Sequence, residues 1–219
     1  MELPDEQLAW MSWSSGKDST LALEVARRQL GMEVVALLST VNADADRVAM
    51  HAVRRDLLEA QAERLGLPLH IVEIPSPCPH DVYEASMARS MALAAGSGVR
   101  HVVFGDLFLA DVRAYREQAL QGSGLTPQFP LWGRPTGDLA RDMLRAGIRA
   151  VVTCVDPRQV PASLAGRAYD QQFLAELPEG RTTRPTRGAV RVTGTLTLNA
   201  TDPENFLYLL RDASVVDAE

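Results

Sequence analysis

The chain reads as an open doubly wound α/β protein, a parallel sheet with helices on both faces. Three observations predict this. Short apolar, β-prone runs recur between residues 8 and 155. Stretches with helical periodicity separate them. Small polar or glycine-bearing turns mark the changes. Strands joined through helices imply a parallel sheet with right-handed crossovers.

The elements follow in order. Leu8–Trp13 is a short apolar run, followed by the turn Ser14-Ser15-Gly16-Lys17-Asp18-Ser19. A helix runs from Ser19 to Leu30. Leu21 and Val25 share a face with Ala22 and Ala26, Arg27 and Arg28 occupy the last turn, and Gly31 caps the end. Val34–Leu38 reads as a buried strand. Val48–Leu65 is helical, with Val53, Leu57 and Ala60 on one side and Gly66 as its stop. Leu69–Ile74 is the next strand. Val82–Ala94 is a helix with Tyr83, Met87 and Met91 in register. His101–Phe104 is a strand and Asp111–Leu120 a helix. Thr136 N-caps a further helix that ends at Gly147, and Ile148–Val155 is the last clear strand.

After Val155 the character changes. Asp156-Pro157 opens an irregular stretch, Ala165–Leu177 reads as a short helix, Ala189–Leu198 as a strand and Phe206–Leu210 as a helical tail. Residues 1–155 are therefore expected to form an α/β domain and residues 156–219 a small C-terminal lobe. Between Arg181 and Asn199 there are four arginines and no acidic residue.

Composition removes several classes. With 46% hydrophobic and 23% charged residues, the chain is neither disordered, collagen-like nor a coiled coil. Its two cysteines, Cys78 and Cys154, form no CxxC, which argues against a disulfide framework or a cysteine-built metal site. A formal net charge of −6 disfavours a broad nucleic-acid surface. No apolar run reaches the roughly 18 residues of a membrane span. The acidic start Met1-Glu2-Leu3-Pro4-Asp5-Glu6 lacks the basic and apolar regions of a signal peptide. A cytoplasmic location without a membrane partner is expected.

The segment from Ser14 to Ser19 carries the clearest chemistry. Small residues between a strand and a helix let backbone N–H groups approach a phosphate. The helix N-terminus adds unpaired N–H groups and a partial positive charge. Lys17 can set an ammonium on the phosphate, and Ser14 and Ser19 can donate hydroxyl hydrogen bonds. No GxxxxGK[ST] occurs, so this is not a Walker A loop. The bland alternative is a helix cap with an exposed lysine. Gly105 and Asp106 follow a strand directly, at the carboxyl edge where open parallel sheets bind ligands. The alternative is a tight turn with Asp106 as a cap. Phe129–Gly133 either shapes an acceptor site or packs a loop.

Ser14–Ser19 resembles the SGGKDS signature of the PP-loop ATP pyrophosphatases, with Ser15 in place of the first glycine. That change is mild unless the position needs a positive φ. Further segments follow in family order: Arg47-Val48-Ala49-Met50-His51-Ala52-Val53-Arg54, Leu57–Glu63, Phe104-Gly105-Asp106-Leu107-Phe108-Leu109, Arg113-Ala114-Tyr115-Arg116-Glu117 and Phe129-Pro130-Leu131-Trp132-Gly133. Over residues 8–178 the chain is similar to the ATP-binding group that includes diphthine–ammonia ligase.

The resemblance implies a Rossmann-like nucleotide alpha hydrolase fold and cleavage of ATP between its α and β phosphates. A carboxylate would be activated as an adenylate, and ammonia would then form an amide. Ser14, Ser15, Gly16, Lys17, Asp18 and Ser19 would hold the nucleotide, with Lys17 and Asp18 as catalytic residues and Asp18 on Mg²⁺. Leu38, Ser39 and Thr40 would meet the adenine, and Gly105 and Asp106 would complete the pocket. Arg47, His51, Arg54, Arg113 and Trp132 are candidate substrate contacts. His51 and Arg54 lie three apart on the expected helix and so share a face; a solvated helix start is the alternative. Arg113 and Arg116 with Glu117 also suit a charged helix surface, and Trp132 a packing anchor. His70, His80 and His101 show no shared ligand spacing. The implied partners are ATP, a carboxylate acceptor and ammonia, with elongation factor two as acceptor only in a true diphthine ligase. A homodimer is left open.

The chain departs from the family at one place. The family carries a segment close to GENGEFHT after the Leu-Pro; here Leu177-Pro178-Glu179-Gly180 runs into Arg181, and no acidic residue follows through Leu198. Four arginines create the opposite local potential. A lobe remodelled for an anionic substrate, a nucleotide-binding module or sensor without amidation, and a disrupted reading frame all fit. A sulfur-transfer or tRNA-modifying relative ranks lower, because such enzymes commonly use paired cysteines.

Overall fold

The computed structural model describes residues 7–49, 51–155 and 160–177, with the backbone of two further strands, Val190–Leu198 and Tyr208–Val216. The chain divides into two compact units, Met1–Gly133 and Arg134–Glu219. The composition change at Val155 thus falls inside the second unit.

The first unit is a mainly parallel six-stranded sheet with helices, as the sequence predicts. Its elements are β1 (Leu8–Ser12), α1 (Lys17–Arg28), β2 (Glu33–Asn42), β3 (Arg47–Val48), α2 (Arg55–Leu65), β4 (Leu69–Ile74), α3 (His80–Gly96), β5 (His101–Val103), α4 (Ala110–Ala119) and β6 (Thr126–Gln128). The parallel strands run β4-β2-β1-β5-β6. The direction of winding reverses between β1 and β5. That reversal opens a crevice beyond the carboxyl ends of these two strands.

Local chemistry explains each end. In α1 the residues Ser19, Leu21, Ala22, Leu23, Val25 and Ala26 are buried, with Asp18 in the first turn and Arg27 and Arg28 in the last, matching the helix dipole. Gly66 ends α2 in the left-handed conformation at φ 64, and its N–H bonds to the Ala62 carbonyl. One face of the sheet buries Trp10, Ala36, Leu38, Val72, Val102 and Phe104 against Met91 and Ala94 of α3 and Leu120. Alternation turns Met11, Leu37 and Val103 the other way, and all three are fully buried. No α1 residue joins the first cluster, and α1 packs on β1, β2 and β5, so α1 covers this second face.

Several expected elements are corrected. The helix expected over Val48–Leu65 begins only at Arg55. Before it, Arg47–Val48 folds back antiparallel on β2, pairing Val41 with Val48 and Asn42 with Arg47. β4 already occupies the other edge of β2 from Leu37 to Asn42. β3 therefore lies on the β1 side, beyond the end of β1. A further strand, β6, was not expected because it is short and contains Pro127. Proline fits there because, among the described residues, β6 pairs with β5 alone and stands at the edge of the sheet.

The second unit holds α5 (Thr136–Arg145), β7 (Cys154–Val155), a 3₁₀ turn at Ala162–Leu164, α6 (Gln171–Glu176), β8 (Val190–Leu198) and β9 (Tyr208–Val216). The expected parallel strand Ile148–Val155 reduces to β7, which pairs antiparallel with β8 in a separate three-stranded sheet. Where a helical tail was expected at Phe206–Leu210, residues from Tyr208 onward form β9, antiparallel to β8. The expected helix Ala165–Leu177 shortens to α6, N-capped by the Asp170 carboxylate, which accepts from the Phe173 N–H. The expected acidic motif, absent between residues 178 and 189, falls outside the described residues.

Candidate active site

The loop between β1 and α1 is held before the helix starts. Trp13 donates its backbone N–H to the Leu38 carbonyl at 2.7 Å. The Ser39 hydroxyl donates to the Trp13 carbonyl at 2.5 Å. The Trp13 indole donates to Gln61 Oε1 of α2 at 2.9 Å, and Gln61 Nε2 donates to the Ser15 carbonyl at 3.4 Å. Ser15 then takes φ 63, in the left-handed region. The condition under which the glycine-to-serine change matters is met here. The Ser15 hydroxyl is also buried without a hydrogen-bond partner. Gly16 is extended and serves as the N-cap, and no side chain caps the helix.

Downstream, Ser14 Oγ donates to Ser19 Oγ at 3.2 Å, and Ser19 Oγ donates to the Gly16 carbonyl at 2.9 Å. Thr20 Oγ1 donates to the same carbonyl at 3.0 Å. Serine and threonine hydroxyls thus bind the loop to itself and fix its curvature. The first-turn amides of α1 have no intrahelical acceptor and no side-chain cap, which suits an anion. Lys17 Nζ contacts both Asp18 oxygens at 2.9 and 3.0 Å. The ammonium and carboxylate stand together at the mouth of the loop.

Gly105, just past β5, closes the crevice. A Cβ added there would lie 3.1 Å from Ser19 N and 3.2 Å from Asp18 C and Ser19 Cα. The close approach that glycine permits is to the backbone of α1. The loop after β1 and the turn after β5 meet at the point where the winding reverses.

β3 brings a third segment toward this site. Ala49 N–H bonds to the Thr40 carbonyl at 2.9 Å, Ala52 N–H bonds back to the Val48 carbonyl at 2.9 Å, and Ala52 takes φ 55. His51 and Arg54 therefore lie in and after a turn, not on one helix face. Arg54 is the N-cap residue of α2 and pairs with Asp56 at 3.1 Å. Arg47 donates to the Ala52 carbonyl at 2.9 Å and so closes the turn. His51 keeps a solvent-open surface, yet the protein packed around its ring holds it below the usual histidine pKa. The Asp18 carboxylate opposes this lowering and the Lys17 ammonium adds to it. His51 thus sits within the field of both loop charges.

The remaining candidates divide. The Leu38 side chain is in the sheet core and its carbonyl accepts from Trp13; Ser39 is buried and braces the loop; the Thr40 carbonyl accepts from Ala49. Asp106 pairs with Arg116 Nε at 2.6 Å, and the Arg116 guanidinium lies 4.4 Å from the centre of the Phe104 ring. Arg113 sits 4.8 Å from the ring centres of both Phe129 and Trp132 and donates to Glu117 at 2.7 Å. Phe104 stacks on Phe129 at 5.4 Å. The α4 arginines are thus held by aromatic rings, not spread over a charged surface. This cluster joins the loop site through the adjacent residues Gly105 and Asp106. Gln61, the loop brace, was missed as a site residue; its place within the matching segment Leu57–Glu63 was the available signal.

Among the described residues no group of three or more His, Cys, Asp or Glu side chains stands ready to hold a metal. The carboxylate that the loop itself presents is that of Asp18. That donor fits Mg²⁺, which takes one or two carboxylates together with substrate phosphates. No helix among the described residues is long and apolar enough to cross a membrane.

Residues 8–127 match the family described as the diphthamide synthase N-terminal domain. No curated protein matches the chain. Two solved structures are similar. One is described as a predicted subunit of tRNA methyltransferase from Methanocaldococcus jannaschii, 14% identical, covering 63% of this chain and 75% of that one, with a TM-score of 0.43. The other is the U34-tRNA thiolase NcsA from Methanococcus maripaludis with its [4Fe-4S] cluster, 14% identical, covering 64% and 58%, with a TM-score of 0.38.

Proposed function

The chain belongs to the diphthamide synthase N-terminal domain family of PP-loop ATP-using proteins, and from that premise we propose that it splits ATP into AMP and pyrophosphate while activating a carboxylate for amide formation. The observation that supports this reading is the meeting of the uncapped α1 N-terminus, Lys17 and Gly105 in the crevice between β1 and β5.

In this reading the carboxylate oxygen of the acceptor bonds to the α phosphorus, and the bond from that phosphorus to the bridging oxygen breaks. Pyrophosphate leaves with the electron pair, an acyl-adenylate remains, and charge grows on the departing group. The first-turn amides of α1 and the Lys17 ammonium would meet that charge, and the Ser14 and Ser19 hydroxyls would join them by turning their O–H groups from Ser19 Oγ and the Gly16 carbonyl. Lys17 would exchange Asp18 for the phosphates, and Asp18 would be the residue to hold Mg²⁺, which would supply charge neutralisation. Ammonia then attacks the acyl carbon, AMP departs and the nitrogen loses a proton. Arg113, held by the rings of Phe129 and Trp132 and paired with Glu117, would exchange Glu117 for an acidic acceptor.

A second reading is a nucleotide-binding module or sensor. The missing acidic segment after Leu177-Pro178 favours it. Incubation with Mg·ATP, with Lys17→Ala as control, separates the two. AMP and pyrophosphate in equal amounts, lost in Lys17→Ala, support the enzyme. ADP and phosphate would rule out α–β cleavage. Lys17-dependent binding of ATP with neither product, also after addition of carboxylates and ammonium, supports the module.

A further inference from the structure

A groove separates α3 from α4 on the sheet face opposite α1. Its volume is about 170 Å³. Met91, Phe104 and Leu120 line it and are each at least nine-tenths buried. The space exists because two alanines, Ala88 and Ala119, stand where larger side chains would fill it. None of the ten residues of α4 is buried, so its inner side lacks cover. A cavity of ~150 Å³ lined by apolar side chains holds benzene, so the groove is large enough for one six-membered ring. Met87 and Met91 offer thioethers, which make favourable contacts with aromatic rings.

The polar lining decides the sign of the ligand. Tyr83, Glu84, Tyr115 and Arg116 line the groove. Arg116 is neutralised by Asp106 at 2.6 Å. The Glu84 carboxylate contacts His80 at 3.1 Å, and both side chains are more than half exposed. Burial, with Tyr83 and Glu84, raises the pKa of the Tyr115 phenol, which stays neutral and able to donate. The uncompensated charge of the lining is therefore negative.

We propose that the groove between α3 and α4 binds a small ligand made of one aromatic ring and an ammonium group. The ring packs on Met87, Met91 and Leu120, beside the Phe104 ring that Arg116 covers, and the ammonium meets Glu84. The groove shares Phe104 and Arg116 with the cluster beside the nucleotide crevice, but the proposal does not depend on the reading of that crevice.

The test uses the full chain with ¹³C-methyl-labelled methionine, so that Met87 and Met91 report directly. Tyramine is titrated beside its neutral analogue tyrosol and the anionic 3-(4-hydroxyphenyl)propionate. Saturable shifts of both methyls by tyramine are expected, with a dissociation constant of about 1 mM. Tyrosol is expected to bind about three- to fivefold more weakly, the size of an exposed ion pair. Glu84→Gln makes the two equal. Ala119→Leu, at an exposed helical position, fills the space and abolishes both while leaving the circular dichroism spectrum unchanged. The proposal is overturned by the absence of saturable shifts up to about 10 mM tyramine, tenfold above the expected constant. Binding that survives Ala119→Leu, or equal binding of the anionic analogue, overturns it as well.

Discussion

Replacing Gly105 by alanine measures how tightly the two ends of the crevice are packed. The added Cβ would meet Ser19 N at 3.1 Å and both Asp18 C and Ser19 Cα at 3.2 Å, where ordinary contact begins at 3.4 Å. A few tenths of an ångström must come from backbone, because no flexible side chain is involved. Overpacking of this kind costs about 1–3 kcal/mol. The stiffer unfolded chain of the alanine variant returns about 0.4–1 kcal/mol. The net expectation is a destabilisation of about 1.3 kcal/mol at the middle of these ranges, and at most about 2.6 kcal/mol. At a urea dependence of about 2 kcal/mol per molar, the middle value lowers the midpoint by roughly 0.6 M. Trp10, Trp13 and Trp132 all lie in the first unit, so tryptophan fluorescence follows that unit alone. ATP affinity, measured by calorimetry, is expected to fall as well, because the shifted backbone carries the first-turn amides. A midpoint and an affinity both equal to those of the parent protein would refute the reasoning.

Ser15→Gly is expected to raise the urea midpoint by about 0.3–0.5 M, because it removes a left-handed serine and a buried hydroxyl without a partner, with ATP affinity retained; a lower midpoint would show that the hydroxyl contributes. Gln61→Leu removes both braces of the loop, at 2.9 and 3.4 Å, and strands the Trp13 indole N–H. A loss of about 1–3 kcal/mol in urea denaturation is expected, and an unchanged midpoint would remove Gln61 from the account of the loop. The lowered His51 pKa has a signed consequence. Above the ordinary value of 6.5 the ring is neutral in both folded and unfolded chains and contributes nothing. As pH falls below it, the unfolded chain takes up the proton first and stability declines toward the folded pKa. An NMR titration of the His51 ring is expected to give a midpoint below 6.5, and His51→Gln to flatten that part of the stability profile. A midpoint at or above 6.5 would contradict the burial argument.

Much of the site is local and therefore legible in the residues. Ser14 to Ser19 is a strand–turn–helix segment whose small side chains are read directly, although the helix starts at Lys17 and not at Ser19, and its lack of a side-chain cap came from the structure. The turn at residues 48–54 was not legible. His51 and Arg54 have helical spacing, but the N–H of Ala52 bonds to the Val48 carbonyl with Ala52 at φ 55, and the chain turns back onto β2 before α2 begins. β6 escaped notice because three residues including a proline carry no period; an edge strand supplies the free side that proline requires. Ile148–Val155 looks like a parallel core strand by composition, yet Cys154–Val155 pairs antiparallel with β8 in another sheet, and Val151 makes an antiparallel bridge to Ala168. Apolar β-prone residues state that a strand forms and do not choose its partner.

Read alone, the order of amino acids gives the alternation of strands and helices and the small-residue loop between β1 and α1 through short-range spacing, and the PP-loop family through the resemblance of several motifs in order. The tertiary structure alone decides what meets that loop. Strand order places β5 beside β1 and so brings Gly105 against Ser19; the β2–β3 hairpin carries His51 into the field of Lys17 and Asp18; the aromatic rings of Phe129 and Trp132 close on Arg113. These are contacts between segments far apart in the chain, and they exist only once hydrogen-bonded register and a shared core have fixed which segments are neighbours.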